Sequence, residues 1–401
     1  MKKLDFISGG IISFLAATAF CCSCGKEEDR MPARRTSAVV DASLSVAPES
    51  VAALLADVPF GEEQMREVYD AVSSSSCNGY DEEYTMRDLF GSPGAGVGDF
   101  SGGVRAGKTK DYGQPLWNLL AEGLRSSCST RAGGIDPEKF IESLAGSDLQ
   151  IYWPYSEDWD GTSLPVITFD PGTEDTVNVG YAVEIGADGV RRISEVLVDE
   201  KMAMRRPVWV VNRNSDASYK PVVMQSNENS GRRHDERPYT KAMNDFKVLT
   251  FRSFTMKRHF DSWFAGGSEF FVKCGAVNGF RASTEAELSL YSASVTDFMV
   301  VVKRKYLNVP LDFNAVLVSE WTEQMEDMAF IIIEDDGGTR TSWKCSATVK
   351  YNSKSYGFDV EIPIYTKDDI VWRGQLSKNY IERYSGTTGH FGDVDVILGL
   401  E

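Results

Sequence analysis

The chain has 401 residues and a formal net charge of −17, with 42% apolar and 11% aromatic residues. That apolar content belongs to a folded globule and excludes a disordered chain, and the length suits two or three domains. So negative a body repels phosphate backbones, which excludes nucleic acid as a partner.

The amino terminus reads Lys2-Lys3, then an apolar run Ile11–Phe20, then Cys21-Cys22-Ser23-Cys24. A short basic region before an apolar core is a secretory leader. The run is about half of the roughly 20 residues that span a bilayer, so it does not read as a retained membrane helix. A lipoprotein signal peptidase needs a small residue before its cysteine; Phe20 fails Cys21, and Ser23 suits Cys24. Residues 1–23 are therefore expected to be cleaved and Cys24 to carry lipid. Two or more acyl chains make a stable anchor, at about 0.8 kcal/mol per buried methylene.

Directly after Cys24 stands Gly25-Lys26-Glu27-Glu28-Asp29. This stretch resembles the Lys-plus-acidic export tag behind the lipidated cysteine of surface-exposed lipoproteins of Bacteroidetes. The resemblance covers about ten residues and implies a protein held by lipid on the outer membrane, facing outward. Residues 24–47 read as a flexible tether.

Residues 48–146 carry helical periodicity: Val51, Leu54, Leu55 and Val58, then Met65, Val68, Tyr69 and Val72. Asp81-Glu82-Glu83 is expected to open a third helix closed by Gly91, while Pro115 and Asp136-Pro137 start two more. The glycine-rich stretch 91–113 contains a literal phosphate-loop string, Gly102–Thr109. No strand precedes it and Gly113 and Pro115 break any helix after it, so the match is a coincidence of composition.

Residues 149–225 read as strands at 149–153, 164–169, 177–185, 193–198 and 207–211, and 226–240 as a linker. Residues 241–401 read as a β-sandwich, with strands at 246–256, 269–275, 286–291, 297–305, 327–334, 343–351, 356–364 and 391–398. The expected class is α+β and multi-domain: a helical region, then two mainly antiparallel β regions. The order and spacing of the last region weakly resemble a C2-type sandwich, with loops 257–268 and 335–341 at one end.

Two stretches carry candidate chemistry. Tyr152, Trp153, Tyr155 and Trp159 crowd around Glu157, Asp158 and Asp160. Aromatic faces stack on sugars and carboxylates accept their hydroxyls, so these rings are a candidate glycan platform; the plain reading is a buried strand end followed by a turn. The C2 resemblance implies calcium at the loop end of the sandwich, where Asp261, Glu334, Asp335 and Asp336 stand, although the family spaces its aspartates differently. Gly337-Gly338 also makes Asp335–Thr339 a plain hairpin turn.

His234, His259 and His390 fall in no zinc spacing. No serine nucleophile elbow occurs, since Gly266-Gly267-Ser268-Glu269-Phe270 lacks the final glycine. Cys77 with Cys128, and Cys274 with Cys345, are natural disulfide partners, and free thiols suit a domain of this size equally well. The expected function is a non-enzymatic binding protein of the cell surface with a glycan or protein ligand. The alternatives are a glycoside hydrolase whose acids meet only in the fold, and a calcium-stabilised adhesion module.

Overall fold

The computed structural model describes residues 46–91, 112–129, 136–214, 219–225 and 246–401, all within one compact unit. The expected leader, Cys24 and the expected tag, the Gly102–Thr109 string and the expected 226–240 linker lie outside the described residues.

Helices come first. α1 (Pro48–Asp57) starts on a proline whose missing N–H costs nothing at that position. α2 (Glu62–Cys77) buries Met65, Val68 and Val72 along one face. Asp81–Glu83 does not open a helix: Glu83–Thr85 is a short strand, β1, and α3 (Met86–Phe90) begins after Thr85, whose side chain accepts the Asp88 amide. The acidic triplet is buried, and pairing with a neighbouring strand outweighs its local preference for a helix start. α4 (Leu116–Ser129) and α5 (Pro137–Ala145) follow, the latter capped by the Asp136 carboxylate.

Glu67 holds α4 in place. Its carboxylate is buried and accepts the Leu116 N–H at 2.6 Å, an otherwise unpaired donor at the helix start. Burial pushes Glu67 up to about 7, against the pull of Leu116 and Tyr84 and with a push from Glu63. A carboxyl group raised on folding gives stability that is full below its unfolded value and lost as pH rises through about 7. Glu67→Gln keeps the acceptor and removes the charge. It is expected to stabilise the protein at about pH 8 by up to about 3 kcal/mol and to flatten the stability profile down to about pH 5. Urea melts across that range check this.

The first sheet runs β1-β2-β6-β3-β4-β5. Its further strands are β2 (Leu149–Tyr152), β3 (Val166–Phe169), β4 (Val177–Ile185), β5 (Arg191–Asp199) and β6 (Val208–Arg213), with α6 (Glu200–Ala203) between β5 and β6. Only the β3–β6 pair is parallel. The helical region and this sheet share one core, in which Val51, Leu55, Leu120, Ile151, Trp153, Trp209 and Val211 meet. The alternate residues Tyr152, Val166, Val208 and Val210 face the other way, onto Trp263 and Phe264. Both faces of the central strands are thus covered, so their apolar residues do not alternate with polar ones.

The last region is a sandwich of two sheets. One runs β10-β7-β16-β15, the other β13-β12-β11-β8-β9 with β14 also paired to β11. The ranges are β7 (Lys247–Met256), β8 (Ser268–Ala276), β9 (Ser294–Val302), β10 (Leu311–Trp321), β11 (Met325–Glu334), β12 (Arg340–Tyr351), β13 (Lys354–Tyr365), β14 (Asp369–Ser377), β15 (Thr388–Phe391) and β16 (Val394–Leu400), with α7 (Lys378–Tyr384) between β14 and β15. Phe251, Phe254, Phe270, Phe330, Ile332 and Trp321 fill the space between the sheets. Residues 286–291 are no strand: Glu285–Leu290 is a 3-10 helix with Leu290 in solvent. Cys77, Cys274 and Cys345 are free thiols, Cys274 lying against the Met328 sulfur at 3.4 Å. The Cys128 side chain lies outside the described residues. Among the described residues no helix is long and apolar enough to cross a membrane.

Candidate metal centre

Three expected calcium ligands meet. Asp261 comes from the loop between β7 and β8, Glu334 is the last residue of β11, and Asp336 lies in the turn to β12. One carboxylate oxygen from each lies within 4.8 Å of the others. β8 and β11 are antiparallel neighbours with Glu334 opposite Phe270, which brings the two loops to one end of the sheet. Asp335 is not part of the cluster: its carboxylate accepts the Gly337 amide and shapes the hairpin, with Gly337 and Gly338 at positive φ. Turn and ligand cluster therefore coexist in one stretch.

Glu334 is 1% exposed, and neither of its carboxylate oxygens has a hydrogen-bond partner. Asp261 Oδ2 is likewise buried and unpartnered. Ionised carboxylates only accept, so neighbours of this kind hold together through a shared proton or a shared cation. Burial and then Asp261, Asp336 and Glu269 push Glu334 up to about 12. Burial, reinforced by Asp261, Asp369, Asp335 and Asp368, pushes Asp336 to about 6. Asp261 is also raised, by burial and against the pull of Arg304. Leaving a buried acceptor unmade costs about 1–3 kcal/mol, and more when it is charged.

The donor set suits a hard cation: calcium takes oxygen ligands in a flexible geometry, whereas magnesium demands a near-ideal octahedron and gives up its waters reluctantly. Three carboxylates supply three to six of the six to eight oxygens calcium takes, depending on how many bind through both atoms.

The segment that carries Asp261 is pinned to the first sheet. Trp263 Nε1 donates to the Thr176 carbonyl at 3.0 Å, and Asn212 Nδ2 donates to the carbonyls of Phe264 and Ala265 at 3.0 and 2.5 Å. Gly267 N donates to the buried Asp81 carboxylate at 2.6 Å. A Cβ on Gly267 would stand 2.8 Å from the Val302 carbonyl oxygen, so that approach needs glycine. The glycines that resemble a broken nucleophile elbow are there for this contact.

A second, partly buried charge network joins the sandwich to α2, α6 and the turn after β2, and sequence patterning did not expose it. Lys303, Arg304 and Lys305 reach Ser76, Glu200 and Glu157 respectively, Arg304 Nε standing 2.6 Å from Glu200. Burial raises Glu82 well above the ordinary range, helped by Glu157. Glu157, an exposed residue, is held at about 2 by Glu82 and Lys305 against partial desolvation of its carboxylate. The basic triplet after β9 was the available signal, but a charge run usually faces solvent.

The aromatic stretch divides. Tyr152 and Trp153 are about 1% exposed and belong to the core on opposite faces of β2, so they form no exposed platform. Tyr155 and Trp159 are half-buried and line a cleft with Asp158 and Arg205. No known protein family, curated protein or solved structure matches the chain.

Proposed function

We propose that this protein is a lipid-anchored component of the outer bacterial surface whose β-sandwich is a calcium-stabilised binding module. The observation that carries the calcium reading is Glu334: buried, with both oxygens unpartnered, against Asp261 and Asp336. An ion at that point replaces the proton that otherwise has to sit between the carboxylates. Extracellular calcium modules work with dissociation constants of about 0.1–1 mM, a range that suits a site in which three carboxylates supply only part of the ligand set.

A glycosidase reading fits this cluster less well. Hydrolysis needs two carboxyl groups about 5–9.5 Å apart with a sugar between them, and here the acids crowd closer around a residue that is 1% exposed. Calorimetric titration is the test: calcium is expected to bind the protein, magnesium to bind more weakly, and Glu334→Gln to abolish the calcium signal. Absence of calcium binding to the folded protein would overturn the reading.

The anchor is tested separately. Labelled palmitate is expected to enter the protein through Cys24, and Cys24→Ala is expected to move it from the membrane fraction to the soluble one. Unchanged partitioning of that variant would remove the lipid anchor from the proposal.

A further inference from the structure

A cleft lies between the loop Trp153–Ser163 and the turn Met204–Pro207. It holds about 90 Å³ of cavity inside about 390 Å³ of space that includes its mouth. Tyr155 and Trp159 form its apolar side, with Trp153, about 1% exposed, packed behind them. Trp153 and Trp159 stand 5.5 Å apart at 63°, and the Arg66 guanidinium lies 4.9 Å from the Trp159 ring, which fixes that ring in place.

Tyr155 is bound into an uncommon backbone conformation to take this position. It has φ 58 and ψ 31, left-handed values that a non-glycine residue adopts only when its surroundings hold it. Glu82 does so by accepting the Tyr155 amide at 3.3 Å, and Glu200 by accepting its hydroxyl at 3.0 Å. Such locally held conformations concentrate at binding sites.

The rim is polar and mixed in sign. Asp160 is used by the fold, accepting from the Thr162 and Ser163 amides at 2.8 and 2.7 Å. Asp158 and Arg205 are exposed and, among the described residues, neither has an ion-pair partner. Met204 is 53% exposed beside them. An uncompensated arginine beside aromatic rings, in a chain of net charge −17, is a recognition element for an anion.

We infer that this cleft binds a pyranose ring bearing a carboxylate, a hexuronic acid. Tyr155 and Trp159 cover the C–H face of the sugar, Arg205 pairs with its carboxylate, and Asp158 accepts its hydroxyls. A flat aromatic acid fits less well, because it has no hydroxyls for Asp158. The volume of the cleft suits one ring of a longer acidic chain, with the rest in solvent. This assignment uses no residue of the carboxylate cluster and is independent of calcium.

The test titrates the full protein with glucuronate and galacturonate oligomers, a neutral glucoside and benzoate, read by tryptophan fluorescence and calorimetry. Uronate oligomers are expected to bind at least about tenfold more tightly than the neutral sugar, and Arg205→Ala to remove about tenfold of that affinity. Arg205 is exposed, so the variant is expected to keep its thermal midpoint, and Asp158→Asn supplies a second exposed probe that weakens binding of the same ligands. No uronate binding up to about 10 mM, equal affinity for the neutral sugar, tighter binding of benzoate, or an Arg205→Ala variant that binds as before would each overturn the inference.

Discussion

Calcium is expected to raise the thermal midpoint of this protein and a chelator to lower it, and Glu334→Gln is expected to erase the response. A ligand that binds only the folded state stabilises it by about 2.7 kcal/mol at one hundred times its dissociation constant. The same substitution has a second, opposite signature. In calcium-free buffer Glu334 is a buried carboxyl with no partner at either oxygen, beside Asp261. Glutamine is neutral without taking up a proton and offers an N–H to Asp261, so at neutral pH the calcium-free variant is expected to melt above the calcium-free parent by an amount on the order of 1–3 kcal/mol. Asp336→Asn, at an exposed position, is expected to weaken the calcium response without threatening the fold. Differential scanning calorimetry with calcium and with chelator reads all three. A Glu334→Gln protein that still gains stability from calcium places the ion elsewhere and ends the assignment.

Trp263→Ala is expected to cost about 3–5 kcal/mol, the loss typical of deleting a large buried aromatic side chain. Trp263 is 3% exposed, its ring packs against Phe264 with centroids 4.0 Å apart, and its indole N–H holds the Thr176 carbonyl. Together Trp263 and Phe264 cover the face of the first sheet that presents Tyr152, Val208 and Val210. Removing the indole opens that face and frees the segment on which Asp261 is carried. The variant is therefore expected to be cut faster by protease within 257–267 and to bind calcium more weakly, although no ligand has been changed. Denaturant melts give the stability, limited proteolysis the site of opening and calorimetry the affinity. A cost under about 1 kcal/mol would mean that the segment is not the cover of that sheet.

Much of the architecture was legible in the residues. The spacing of Val51, Leu55, Met65, Val68 and Val72 marks α1 and α2, and Asp136-Pro137 with Gly146 brackets α5 because caps and breakers act locally. β4 occupies the expected 177–185. The expected strand 391–398 is present as β16 from Val394, while Phe391 ends a preceding strand, β15, and the chain reverses at Gly392 with φ 64. β10 and β14 carry no expected strand: β14 is half-exposed, and its apolar residues are interrupted by Arg373 and Gly374, so the alternation is weak. Strand pairing, a long-range interaction, makes them strands.

The candidate site shows the same division. Asp261, Glu334 and Asp336 were readable as oxygen ligands on two loops, and Asp335 could not be told from them, because a turn aspartate and a ligating aspartate look alike until hydrogen bonds are known. Tyr152 and Trp153 could not be placed because a central strand covered on both faces has no polar side to reveal its orientation.

What the chain determines by itself is local: the helix caps, the turn glycines, the acidic surplus, and the leader and cysteine pattern from which a lipid anchor is proposed. Tertiary structure decided which side chains lost water. Burial turned Trp153 from a candidate platform into core and left Glu334 a carboxylate without a partner. Desolvation depends on what other parts of the chain arrive, and no window of neighbouring residues contains that information.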